Sequence, residues 1–146
     1  MADTRRAEVK ARLKKYRLLG AKRKNLELEK AHLEKELALC YAPIAHYDYA
    51  GGRGNVRTSP VEKTAARHDR ITSRLAQIAI DIEAVELERR QIDNALEVLP
   101  EEEQEIIRAL FFKGMTMTSA SIALAYSERT LRRRAAEALE AMAIAL

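Results

Sequence analysis

Two long stretches of the chain place apolar residues three and four apart, and three short ones follow. In the first, Val9, Leu13 and Tyr16 make one stripe, while Leu19, Leu26, Leu33 and Cys40 recur every seven residues with Leu37 between them. This spacing predicts a single helix over residues 3–40, of order 55 Å at ~1.5 Å per residue. Gly20 interrupts it at a cost of about 1 kcal/mol against alanine, which predicts a kink or a frayed basic end. In the second stretch Ile71, Leu75, Ile78, Ile82, Val85, Ile92, Leu96 and Leu99 alternate by fours and threes, with Arg89 filling one gap. That regularity is the seam of a coiled coil. Ser59-Pro60-Val61-Glu62 has the form of a capping box with proline at the first helical position, so this helix should run from Pro60 to about Glu97. Two helices of similar length should fold back as an antiparallel hairpin. A lone hairpin leaves apolar surface open, which calls for further helices from a second protomer.

The C-terminal stretches are shorter. Pro100 followed by Glu101, Glu102 and Glu103 suits a helix start, where the dipole favours acidic groups. Ile106, Ile107, Leu110 and Phe111 supply its apolar face to about Phe112, and Gly114 suits its stop. Another helix should begin near Thr118, with Ala120, Ala123 and Leu124 inward and a tight turn at Ala125-Tyr126. Ser127 then has the side chain that caps a helix N-terminus. In the last helix Leu131, Ala135, Ala138, Leu139 and Met142 share one side. The chain is therefore expected to be all-α, a long antiparallel coiled-coil hairpin followed by a trihelical helix-turn-helix head. The expected division is 1–97, the hairpin, for oligomerisation, and 98–146, the head. A fragment from about residue 98 should fold as three helices.

The chemistry lies on the far side of the last helix. Arg129 and Arg133 point away from its packed face, one turn apart, and Thr130, Arg132 and Arg134 flank them. A helix buried on one side and arginine-studded on the other suits a major groove, where arginine forms bidentate hydrogen bonds to guanine and flanking cations neutralise phosphates. The plainer alternative is a solvated basic face on an ordinary bundle helix.

Charge and composition narrow the field. The chain is 5% aromatic and 33% charged, with no tryptophan, five glycines and three prolines, a long-helix composition. A net charge of +4 hides an asymmetry: residues 1–24 hold ten Lys or Arg against two acids, and residues 81–105 hold ten acids against two arginines. The basic end can pair with the acidic stretch across the hairpin or lie along DNA phosphates, and the first is expected to be the larger effect. The connection from Tyr41 to Thr58 gathers Tyr41, Tyr47, Tyr49, His46, Arg53 and Arg57 around Gly51, Gly52 and Gly54. It reads either as a binding surface or as a hairpin tip without fixed structure. His32, His46 and His68 are too far apart, and Cys40 too solitary, for a zinc site. The glycine cluster lacks the GK[ST] of a phosphate loop, and the acidic clusters sit at a helix start. No enzyme activity, metal or cofactor is expected. No apolar run approaches the ~18 residues of a membrane span and no signal peptide opens the chain, so a cytoplasmic protein is expected.

The head resembles the C-terminal, promoter-recognising domain of sigma factors. The resemblance is carried by Leu99-Pro100 with its acidic run, Ile106-Ile107, Gly114-Met115-Thr116, and Ser127 with Thr130-Leu131-Arg132. It is more closely similar to phage-encoded, sigma-like late transcription activators of the ArpU/RinA type, whose "ySeRT" turn is here Tyr126-Ser127-Glu128-Arg129-Thr130. Ala125 stands where that turn usually has Gly or Asn, and Ala120-Ser121 replaces an "IA" pair, which predicts a less sharp turn. The resemblance implies DNA contacts at Ser127, Glu128, Arg129, Thr130, Arg132, Arg133 and Arg134. It also implies a phage or prophage late-gene regulator working with host RNA polymerase on double-stranded DNA, assembled as a dimer or higher oligomer. The acidic surface of residues 81–105 could touch polymerase in a sigma-like complex. Binding an upstream site as a dimer fits better, because nothing in the chain resembles the sigma region that melts promoter DNA. Two other readings stand beside it: a small terminase-like DNA-packaging subunit, and a helical adaptor that binds no DNA.

Overall fold

The computed structural model describes residues 2–40 and 60–146, and every element among them is helical. α1 spans Ala2–Cys40, α2 Pro60–Glu97, α3 Glu101–Ile107, α4 Met117–Leu124 and α5 Glu128–Ala145. Between α3 and α4 the chain makes a π-helical turn, Arg108–Phe112, closed by the Lys113 amide on the Arg108 carbonyl at 2.8 Å. The Tyr41–Thr58 connection and the Ser59 cap lie outside the described residues. α1 continues through Gly20, where an added Cβ would meet nothing within 4 Å, so the expected interruption does not occur.

The described chain packs as two compact units. One is Lys24–Glu83 and the other combines the chain up to Arg23 with Ala84–Leu146. Within the first, Leu26, Ile71 and Ile78 are buried. Arg74 binds Glu29 through Nε and Nη2 at 2.7 and 2.9 Å, and Arg67 meets Glu36 at 3.7 Å. These pairs fix an antiparallel register for α1 and α2 here.

In the second unit the head does not build its core alone. Val9 and Leu13 of α1 and Ile92, Ala95 and Leu96 of α2 form one buried cluster with Leu99, Ile107, Ala138, Leu139 and Met142. The apolar stripe Val9-Leu13-Tyr16 thus packs in a unit with α3 and α5. Tyr16 stacks on Phe112 with ring centroids 4.1 Å apart, and its hydroxyl donates to Asp93 at 2.7 Å. Burial, then that hydrogen bond, pushes the Tyr16 phenol pKa up, keeping it neutral. The gap that Arg89 leaves in the α2 seam has its reason here: its guanidinium sits 5.4 Å from the Tyr16 ring centroid. A second cluster is internal to the head, with Ile106, Ala109, Ala120, Leu131 and Ala135 buried. Residues 98–146 accordingly share half their apolar interior with helices that precede them.

Two local expectations need correction. α4 begins at Met117, one residue early, because the Thr116 side chain accepts the Ser119 amide as N-cap. Ala123 is exposed rather than inward. In so short a helix the packed arc is set by Met117, Ala120, Ser121 and Leu124, at i, i+3, i+4 and i+7, which leaves Ile122 and Ala123 outside.

Candidate nucleic-acid interface

The turn between α4 and α5 decides where the arginines point. Ala125 takes the left-handed conformation (φ 57°), and its amide and that of Tyr126 both bond the Ser121 carbonyl. Alanine there costs about 1–2 kcal/mol, because its Cβ crowds the backbone where glycine has none. Ser121 offsets part of that cost, its hydroxyl donating to the Tyr126 carbonyl. The turn is therefore as tight as one with glycine, contrary to the looser turn expected from Ala125, and the Ala120-Ser121 replacement helps hold it. Ala125→Gly is expected to stabilise the protein by about 1 kcal/mol in a denaturant titration, with DNA affinity unchanged.

α5 starts where the sequence suggests. The Ser127 hydroxyl accepts the Thr130 amide at 3.2 Å and donates to the Thr130 hydroxyl at 2.8 Å. Glu128 accepts from the Thr118 hydroxyl at 2.9 Å, which ties α4 to α5, and meets Arg132 at 3.7 Å. Leu131, Ala135, Ala138, Leu139 and Met142 are buried, the residues expected to share one side of the helix.

The four arginines separate into three situations. Arg129 and Arg133 are exposed on the outer face and make no hydrogen bond, ion pair or ring contact with any described residue. Arg132 is exposed and, among the described residues, pairs with Glu128 alone, an i,i+4 surface pair worth tenths of a kcal/mol, which a phosphate can displace. Arg134 is engaged within the head: its Nη1 donates to Glu102 at 2.6 Å, and the guanidinium lies 4.9 Å over the Tyr126 ring. The Glu102 hydrogen bond, then Tyr126, raises the Arg134 pKa. Ser127, Glu128 and Arg134 thus carry structural bonds in the free protein, whereas Arg129, Arg132, Arg133 and Thr130 frame the outer face. Ala136 is half-buried beside a cleft.

The acidic stretch is divided in a similar way. Glu86 binds Arg23 at 2.9 Å, and Glu88 accepts from Arg12 at 2.9 Å. Asp93 holds Tyr16 and Glu102 holds Arg134, while Glu97, Glu101 and Glu105 remain exposed. Pairing between the basic N-terminal segment and this stretch is what the charge asymmetry leads one to expect, whereas the individual partners, which lie far apart in the chain, carry no signal in the sequence.

Residues 95–143, the last turn of α2 and most of the head, match the family model described as Sigma-70, region 4. The head is thus sigma-region-4-like, a helix-turn-helix of the DNA-binding kind. No curated protein and no solved structure matches the chain. Among the described residues no helix is long and apolar enough to cross a membrane.

Proposed function

We propose that the protein is a sequence-specific DNA-binding transcription regulator, a phage or prophage late-gene activator that works with host RNA polymerase from an upstream site. The observation that carries this reading is the pair of unengaged arginines, Arg129 and Arg133, on the outer face of a capped helix in a sigma-region-4-like head. Arg132 and Thr130 complete the reading surface, and Ser127, Glu128 and Arg134 hold it in shape. Residues 98–146 read DNA and residues 1–97 join protomers. Support for the second role comes from apolar side chains that the helices leave in solvent, among them Leu28 (70% exposed), Leu39 (69%) and Leu87 (58%). Paired heads raise each other's effective concentration on paired half-sites, which a single head cannot exploit.

Selection of genomic fragments bound by the full-length protein, followed by footprinting and light scattering, tests this reading. A protected site upstream of a promoter and a dimer or tetramer are expected. A ring of eight or more subunits on a packaging origin would instead establish the DNA-packaging reading, and no binding to any duplex at low salt would leave the helical adaptor.

A further inference from the structure

The ten basic residues of the N-terminal segment do not share one role. Three are engaged on inward or lateral faces. Arg12 donates to Glu88 and Gln91 at 2.9 Å each, Arg23 binds Glu86, and Arg6 bonds Asp3 and meets Glu140 of α5 at 3.6 Å. Lys10, Lys14 and Arg17 form no ion pair or hydrogen bond with any described residue and are all exposed. They stand at i, i+4 and i+7, so they share one face of α1, about 6 Å apart per helical turn. Arg12, Tyr16 and Arg23 occupy a different face, the one turned to α2.

That basic stripe runs along the head. A cleft of about 350 Å³ is lined by Arg6 and Lys10 of α1, Leu110 and Phe111 of the π-helical turn, Met117 of α4 and Arg132 of α5. Lys10 and Arg132 therefore stand on the walls of one cleft. Further along α1, the Arg17 Nη1 lies 3.2 Å from where a Cβ on Gly114 would be, so Arg17 rests on the turn that leads into α4. Tyr16, stacked on Phe112, fixes α1 against the head between these two points.

We propose that Lys10, Lys14 and Arg17 form a phosphate rail, an accessory DNA-binding surface that grips the backbone flanking the bases read by α5. This inference rests on the DNA-reading assignment of α5. In helix-turn-helix docking the helix before the recognition helix crosses the sugar–phosphate backbone. The rail lies beside the start of that helix, α4, and reaches Arg132 at the edge of the reading face. A continuous line of cations from Arg132 through Lys10 to Arg17 matches a phosphate strand better than a compact acidic ligand. Each phosphate neutralised adds about 0.9 to the slope of log affinity against log salt on duplex DNA. The rail adds affinity and orientation and no sequence information.

The test uses the full-length protein and two variants of equal charge. One carries Lys10→Gln and Lys14→Gln, on the rail; the other carries Lys15→Gln and Lys22→Gln, exposed on another side of α1. Binding is measured by fluorescence anisotropy across a salt series, on the footprinted duplex with flanks and on a random duplex of equal length. The rail variant is expected to lower the salt slope by about 1–2 and to weaken both duplexes alike. Its melting temperature should stay unchanged, and the control variant should keep the wild-type slope. Equal slopes for wild type and rail variant, or equal losses in the two variants, would overturn the rail while leaving the DNA reading standing. A lowered melting temperature with an unchanged slope would assign these lysines to internal pairing and also overturn it. A wild-type protein that binds neither duplex at low salt would remove the DNA reading itself, and an acidic protein surface would then be the partner such a stripe fits.

Discussion

Residues 98–146 expressed alone are expected not to fold, although the sigma-like match lies almost wholly within them. Leu99, Ile107, Ala138, Leu139 and Met142 are buried in a cluster whose other half is Val9 and Leu13 from α1 and Ile92, Ala95 and Leu96 from α2. Burying a Leu, Ile or Met side chain contributes about 1.5–3 kcal/mol. Losing even half of that at Leu99, Ile107, Leu139 and Met142 removes about 3–6 kcal/mol. A domain of about 50 residues has only ~2.5–7.5 kcal/mol in total. Circular dichroism of the fragment should show no cooperative thermal transition. Joining residues 2–23 to 84–146 by a short flexible linker should restore one, since the Arg23–Glu86 ion pair at 2.9 Å brings those ends together. A point substitution makes the same case in the intact chain. Leu13→Ala, about 80 residues before the matched segment begins, should destabilise the unit by about 2–5 kcal/mol. A fragment of 98–146 that melts cooperatively near the full-length temperature would show that the head's internal cluster suffices.

Much of the architecture was legible because its signals are local. Prolines, a serine cap and seven-residue apolar repeats set all the helix positions to within a residue or so. The change of stripe in α1, from Val9-Leu13-Tyr16 to Leu19-Leu26-Leu33-Cys40, is also local. Its meaning is not, because the first stripe packs in the unit that holds the head and Leu26 of the second is buried in the other unit. The π-helical turn was hidden because Ile106, Ile107, Leu110 and Phe111 fit an ordinary α-helical face as well. The left-handed Ala125 ran against residue preference, and only the Ser121 hydroxyl on the Tyr126 carbonyl shows how it is held. The sorting of the arginines was illegible for a similar reason. Arg134 differs from Arg133 through Glu102, a partner 32 residues away that no periodicity identifies.

That sorting gives the second large effect. Arg129→Ala and Arg133→Ala are each expected to cost about 1–3 kcal/mol at the specific site, roughly five- to 150-fold in affinity, by removing a bidentate base contact. Random DNA should be bound far less differently, so the ratio of specific to non-specific affinity should fall nearly as much. Neither side chain has a partner among the described residues, and both lie on the exposed face, so thermal stability should hold. Arg132→Ala is expected to weaken both duplexes and flatten the salt dependence by about 1, the signature of a phosphate contact. Arg134→Ala should behave differently from the other three. It removes the Glu102 hydrogen bond and the stack on Tyr126, so its melting temperature should drop while the specificity ratio stays near wild type. Four single variants, each measured for melting temperature, salt slope and specificity ratio, separate these roles. If Arg129→Ala and Arg133→Ala keep the wild-type ratio in a folded protein, α5 does not read bases with its outer face.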